Sequence, residues 1–124
     1  MNLVDSSGWL EYFANGKNAD FFAPAIQDTS HLVVSTVNIF EVYKKILLHA
    51  DRTRALQAVG SMQRATVADV TAWIAIKAAE ISRERKIPMA DSLIYATARE
   101  YDAILWTQDE DFRDMEKVRF IRKR

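Results

Sequence analysis

No cysteine occurs in the chain, which excludes disulfides, thiolate metal sites and cysteine nucleophiles and agrees with a reducing compartment. The two histidines, His31 and His49, form neither an HxH nor an HExxH pair, so a histidine-rich zinc site is not expected. An excess of either charge is also missing, because seventeen Lys and Arg balance seventeen Asp and Glu. That balance lacks the field of an obligate nucleic-acid coat and leaves any polyanion to be met by a local patch. No run approaches the roughly 20 apolar residues that span a bilayer, and no charged and then apolar segment opens the sequence as a signal peptide would. A cytoplasmic protein without membrane contact is therefore expected. Repeats, linkers and low-complexity tracts are absent too, and 124 residues suffice for one domain, residues 1–124, with one core.

What is present is an alternation of short apolar runs with helical patterns. Asn2-Leu3-Val4 reads as a strand buried on both faces and ending at Asp5, after which Ser6-Ser7-Gly8 turns the chain into a helix near Trp9. Trp9, Leu10 and Phe13 form its apolar face, and Asn15-Gly16 ends it. A second helix is expected over Ala19 to Gln27, kinked or split by Pro24. His31 to Ser35 is β-branched enough for strand two, which feeds a helix from about Val37 to His49. There Phe40, Tyr43 and Leu47 lie on one face and Ile39, Val42 and Ile46 on an adjoining one, a stripe wide enough to predict burial on more than one side. Asp51 caps a helix from Arg52 to Gln63 with Leu56, Val59 and Met62 inward, and Ala65 to Ala68 reads as a brief strand. From Asp69, the spacing of Val70, Trp73, Ile74, Ala78 and Ile81 predicts a helix ending near Arg85-Lys86, before Pro88. Another begins near Ala90-Asp91, with Leu93, Ile94, Ala98 and Tyr101 inward. Ala103 to Thr107 is a further strand; a short helical turn over Asp111 to Met115 and a strand over Val118 to Ile121 follow. This order implies an α/β domain with right-handed crossovers and a mainly parallel sheet covered on both faces.

Four carboxylates fall at element boundaries on one edge of such a sheet, where open α/β sheets place their ligand crevices. Asp5 closes strand one, Glu41 lies in the first turn or so of the helix after strand two, Asp91 opens the helix after Pro88, and Asp109 follows the strand ending at Thr107. Singly, Asp91 has a structural explanation as a helix cap and Asp109 in a surface turn, and Asp111, outside these four, as the cap of the short helix after it. Asp5 and Glu41 are flanked by apolar residues, where an unpaired charge is costly. Together, crowded carboxylates raise each other's pKa, and the group is tolerable only with protons or a cation among them. An all-oxygen set favours Mg²⁺ or Mn²⁺. Such an ion activates water and neutralises charge at a phosphate undergoing in-line displacement, a task two ions about 4 Å apart can share. The chemistry so implied is phosphodiester hydrolysis.

These residues resemble the PIN domain family of metal-dependent ribonucleases, and most closely its small VapC-type toxins of toxin–antitoxin pairs. The matching segments are Leu3 to Ser7, Ser35 to Val42, Ile87 to Ala98 and Ile104 to Phe112, in the family's order across essentially the whole chain. The resemblance implies a three-layer α/β/α sandwich and identifies Asp5, Glu41, Asp91 and Asp109 as metal-binding acids, with Asp111 able to supply or share the last role. Ser7 and Thr107 match the small hydroxyl residues that orient a carboxylate or a coordinated water. It further implies Mg²⁺ or Mn²⁺ dependence, cleavage of single-stranded or loop RNA (tRNA, rRNA or mRNA), a homodimer, and inhibition by a cognate antitoxin. Trp9, Phe13, Phe21, Phe22 and Tyr43 are either core or part of a groove for an antitoxin helix. Lys44, Lys45, Arg52, Arg54, Arg83, Arg85, Lys86 and the tail from Arg119 to Arg124 are available to RNA phosphates.

Two other enzyme classes fit less well. A phosphoacceptor receiver domain resembles a pattern with an acidic pair after strand one, where this chain has Asp5 alone. A haloacid-dehalogenase-like phosphatase places Asp-x-Asp there, and Ser7 fills the second position. A PIN-like binding or scaffold module without catalysis is the alternative from a different class.

Overall fold

The computed structural model describes residues 1–124. Five strands, β1 (Asn2–Val4), β2 (Leu32–Ser35), β3 (Thr66–Ala68), β4 (Ile104–Thr107) and β5 (Val118–Phe120), form one sheet in the order β3-β2-β1-β4-β5. Every neighbouring pair is parallel. Six helices connect them: α1 (Ser6–Phe13), α2 (Ala19–Gln27), α3 (Thr36–His49), α4 (Arg52–Met62), α5 (Ala72–Arg85) and α6 (Met89–Glu100). No helix is long and apolar enough to cross a membrane.

The two-residue period of a strand divides the core into two layers. Leu3 pairs in register with Val33 on one side and Leu105 on the other, and all three belong to the core shared with Ile94, Tyr95 and Ala98 of α6. Val4, Val34 and Trp106 point the opposite way, into a core with Trp9 of α1, Phe22 of α2, Val42 of α3 and Met62 of α4. A buried central β1 follows, because both faces of Leu3-Val4 find apolar partners and both edges find strands. Helix α5 packs on α6 through Ile74, Ala78 and Ala96.

Several elements differ from the sequence expectation for identifiable reasons. Helix α1 starts at Ser6, not near Trp9, because Asp5 is its N-cap and accepts a hydrogen bond from Gly8 N. His31 belongs to a 3₁₀ turn (Thr29–His31), so β2 begins one residue later. Pro24 lies within a continuous α2. In α3, Val42 is buried but Phe40, Leu47 and Leu48 are exposed, so the wide apolar stripe is covered along one side only. The inward face of α4 is Ala55, Ala58 and Met62, while Leu56 is exposed. Helix α5 begins at Ala72, capped by Thr71, and Trp73 is exposed. The turn after β4 is 3₁₀, over Glu110–Phe112.

Gly8 is where α1 meets the sheet most closely. A Cβ there would stand 2.6 Å from Val4 Cγ1 and 2.7 Å from Phe22 Cε1, closer than packed carbon atoms approach. Gly8→Ala is expected to lower stability by about 1–3 kcal/mol, as overpacked cores do, despite alanine's better helix propensity. Urea denaturation measures it; unchanged or raised stability would contradict the close approach.

Candidate metal centre

Strand order fixes where a site can form. The chain builds β1, β2 and β3 outward on one side, then returns to add β4 and β5 on the other, so the connections leaving β1 and β4 diverge. The crevice opened at the carboxyl ends of diverging strands is the usual ligand position in this architecture. Asp5 follows β1 and Asp109 follows β4, one on each side of that crevice.

Asp5 is only 3% exposed and is fully provided with hydrogen bonds. Its Oδ1 accepts from Ser7 Oγ at 2.8 Å and Gly8 N at 3.1 Å, and its Oδ2 accepts from Thr107 Oγ1 at 2.8 Å. Burial nevertheless wins: desolvation outweighs these three donors, Asp109 adds repulsion, and the pKa is raised to about 6. Thr107 Oγ1 also accepts from Asp109 N at 2.8 Å, so one hydroxyl ties the β4 turn to the end of β1.

Asp109, not Asp111, caps the 3₁₀ turn, its Oδ1 accepting from Asp111 N at 2.9 Å. Asp111 instead turns its carboxylate toward Asp91: one oxygen from each of Asp91, Asp109 and Asp111 lies within 4.8 Å of the others. Asp91 does not cap α6 either. Pro88 holds that position, and Asp91 sits in the first turn, anchored behind by Ser82 Oγ donating to Ile87 O at 2.8 Å. Desolvation, hydrogen bonding to Asp111 and the charges of Asp109, Asp111 and Asp5 raise the Asp91 pKa to about 8.

Glu41 lies outside that trio but lines the same cavity, of about 440 Å³, with Asp5, Ser7, Asp91 and Asp109. It sits one turn further into α3 than the sequence suggests. A relay of buried polar groups holds it: Ser35 N donates to Asn38 Oδ1 at 3.1 Å, Asn38 Nδ2 donates to Ser6 Oγ at 3.0 Å, and Ser6 Oγ donates to Glu41 Oε1 at 2.6 Å. Sequence reading assigned Ser6 and Asn38 no role. The available signal was Asn38 standing between Val37 and Ile39 three residues after Ser35, a variant of the helix capping box. A second unassigned pair braces the backbone at Ser7: Gln108 Nε2 donates to Ser7 O at 3.3 Å, and Asn18 Nδ2 donates both to Gln108 Oε1 at 2.9 Å and to Arg122 O at 3.0 Å.

None of the five carboxylates takes part in an ion pair. Of the basic residues considered for RNA, only Lys44 and Lys45 line the acidic cavity. A group of hard oxygen donors, half-exposed on one side and short of positive charge, fits a divalent cation of the Mg²⁺ or Mn²⁺ kind.

An open parallel α/β domain with an acidic crevice at its switch point is the class of protein that fold and site define. Residues 3–118 match the model of the PIN domain, and the chain belongs to the PIN domain family. Among curated proteins no significant match is found. Among solved structures it is similar to a chain of a toxin–antitoxin complex from Klebsiella pneumoniae, with TM-score 0.81, 20% identity and coverage of 96% of each chain. It is also similar to VapC20 of Mycobacterium tuberculosis, described as a sarcin-ricin loop cleaving toxin, with TM-score 0.78, 19% identity and coverage of 94% of this chain and 95% of that one. A third is the DNA-bound VapBC of Salmonella typhimurium, with TM-score 0.71, 19% identity and coverage of 98% of both chains. At these identities the likeness is one of fold.

Both elevated pKa values bear on stability. An acid whose folded pKa exceeds its unfolded value, 3.8 for Asp, binds more protons folded than unfolded, so stability falls as pH rises between the two values. Stripped of divalent ions, the protein is expected to melt at a lower temperature at pH 8 than at pH 5, and Mn²⁺ should reverse that loss at pH 8. Thermal melts with and without EDTA test this, and a melting temperature independent of Mn²⁺ at pH 8 would contradict a cation site.

Proposed function

We propose that this protein is a Mg²⁺- or Mn²⁺-dependent endoribonuclease acting as the toxin of a cytoplasmic toxin–antitoxin pair. The observation that carries the reading is the convergence of Asp5, Glu41, Asp91 and Asp109 on one cavity in which none of them is held in an ion pair. Membership of the PIN domain family and likeness to a toxin described as cleaving the sarcin-ricin loop support it.

Asp91 and Asp109 would hold the ion, with Asp5 and Glu41 bounding it from the other walls and Asp111 contributing charge beside Asp91. When bound, the divalent ion supplies Lewis acidity and charge neutralisation at a phosphodiester. The protein's own work is positional. Ser7, Gly8 and Thr107 fix both oxygens of Asp5, so its carboxylate needs no rearrangement to act. Ser6 and Asn38 do the same for one oxygen of Glu41. Lys44 and Lys45 offer the cavity's only positive charge to a polyanion.

The antitoxin reading draws on the Klebsiella and Salmonella assemblies and on a second groove of about 570 Å³ between α1, α3 and α4. Its apolar floor includes Leu10, Phe13, Ile46 and Ala58, with Lys45 and Arg54 at the rim, suited to an amphipathic helix bearing acidic residues. Of the aromatics considered for this role, Trp9 and Phe22 are core instead. A homodimer belongs to the same reading, and Trp73 and Ile76 of α5 give it an exposed apolar face outside the acidic cavity.

Asp5→Asn, Glu41→Gln, Asp91→Asn and Asp109→Asn are each expected to lower metal-dependent RNA cleavage by more than about 100-fold, and Asn38→Ala by about tenfold, as loss of ligands and of their supports does. Circular dichroism should report an intact fold in all five. Retained cleavage in any two of the four acid variants would remove the assigned site.

A further inference from the structure

The acidic cavity has a second half that the metal reading does not use. Beside Glu41, α3 turns Phe40, Lys44 and Leu48 into the same space, together with Lys45. Phe40 is 63% exposed and Leu48 is 73% exposed, and neither belongs to any core cluster. The Lys44 ammonium lies 5.7 Å from the centre of the Phe40 ring. An aromatic face with a cation beside it, one residue from Glu41, has no structural work to do in the fold.

We infer that Phe40 and Lys44 form a nucleotide subsite, in which an unstacked base of single-stranded RNA lies on Phe40 while Lys44 meets an adjacent phosphate. Three observations favour this occupant. The subsite is continuous with the carboxylates, so a strand bound there places a neighbouring phosphodiester among them. Its charge is opposite to theirs: Lys44 and Lys45 attract the polyanion that the acids repel. Its recognition surface is a π-face plus a point charge, the combination by which proteins hold single strands without reading a duplex groove. A helical peptide is better matched by the α1–α3–α4 groove, whose floor is apolar and carries none of the acids.

The subsite rests on the nuclease reading for its biological sense, but its test does not require cleavage. Binding of a fluorescently labelled single-stranded RNA hexamer is measured by anisotropy in the Asp91→Asn background with EDTA present, which disables turnover. Adding Phe40→Ala or Phe40→Leu should weaken binding by about 5- to 100-fold, the range implied by loss of one base–aromatic stack. Phe40→Trp should restore it, and a sugar–phosphate hexamer without bases should not distinguish these variants. Lys44→Ala should reduce the slope of log affinity against log salt by about 0.7, one single-strand phosphate contact. In the cleavage-competent protein, Phe40→Leu should raise KM with kcat held.

Equal affinity of the Phe40→Leu and Phe40 proteins for the RNA would overturn the subsite and leave this face to a protein partner. Phe40-dependent binding in a protein that cleaves no RNA with any divalent ion would uphold the subsite and remove the nuclease reading.

Discussion

Mutual repulsion among carboxylates at the carboxyl end of the sheet is the constraint to which the rest of the molecule answers. Burial raises the pKa of Asp5 to about 6 against three hydrogen-bond donors, with repulsion from Asp109 added to it; at Asp91, burial and then the neighbouring Asp111, Asp109 and Asp5 raise it to about 8. A fold selected for stability alone would have no reason to place so much like charge together, since an apolar or paired arrangement at those positions costs less. Hydrogen bonds from neutral donors orient Asp5, Glu41 and Asp109 without pairing their charge, which leaves the group suited to a cation arriving from outside.

The topology explains how residues a hundred positions apart reach one another. Because β1 lies between β2 and β4, its end is flanked by the starts of connections running in opposite directions, and Thr107 can bond to Asp5 across 102 residues of sequence. The parallel register sets Leu3 beside Leu105 and Val4 beside Trp106, so the carboxylate after β1 and the hydroxyl ending β4 come level. Both core layers support this alignment. Trp9 and Phe22 press α1 and α2 onto Val4, and Phe112 in the turn after β4 packs into the opposite layer with Tyr95 of α6. The core therefore also fixes the site: it holds the β4 turn and α6 together, and with them Asp109, Asp111 and Asp91.

Much of this was legible in the sequence because the strands are short apolar runs whose meaning does not depend on neighbours. Leu3-Val4, Leu32-Val33-Val34 and Ile104-Leu105-Trp106 stand out on composition alone, and their order among helical patterns leads to a parallel sheet, which proves parallel throughout. Asp5, Asp91 and Asp109 stand out as acids at element ends. What escaped was whatever depends on a partner supplied by another segment. Helix α1 starts three residues before Trp9 because one carboxylate serves as cap and as site residue, a dual use that a linear reading assigns only once. Asp111 reads as a cap until Asp109 is seen to occupy that place. The periodicity of α3 locates its apolar positions but not which of them the sheet covers, so Phe40 and Leu47 read as core although both are exposed. Ser6 and Asn38 have meaning only once β1 and β2 are adjacent, which brings their side chains to 3.0 Å from each other.

The proposed activity requires these carboxylates to share one cation site. Anomalous scattering from crystals equilibrated with Mn²⁺ tests it most directly, since the signal locates the ion without reference to activity. A peak is expected in the acidic cavity, coordinated by Asp91 and Asp109 and bordered by Asp5. Full Mn²⁺ occupancy elsewhere on the surface with none in that cavity would contradict it.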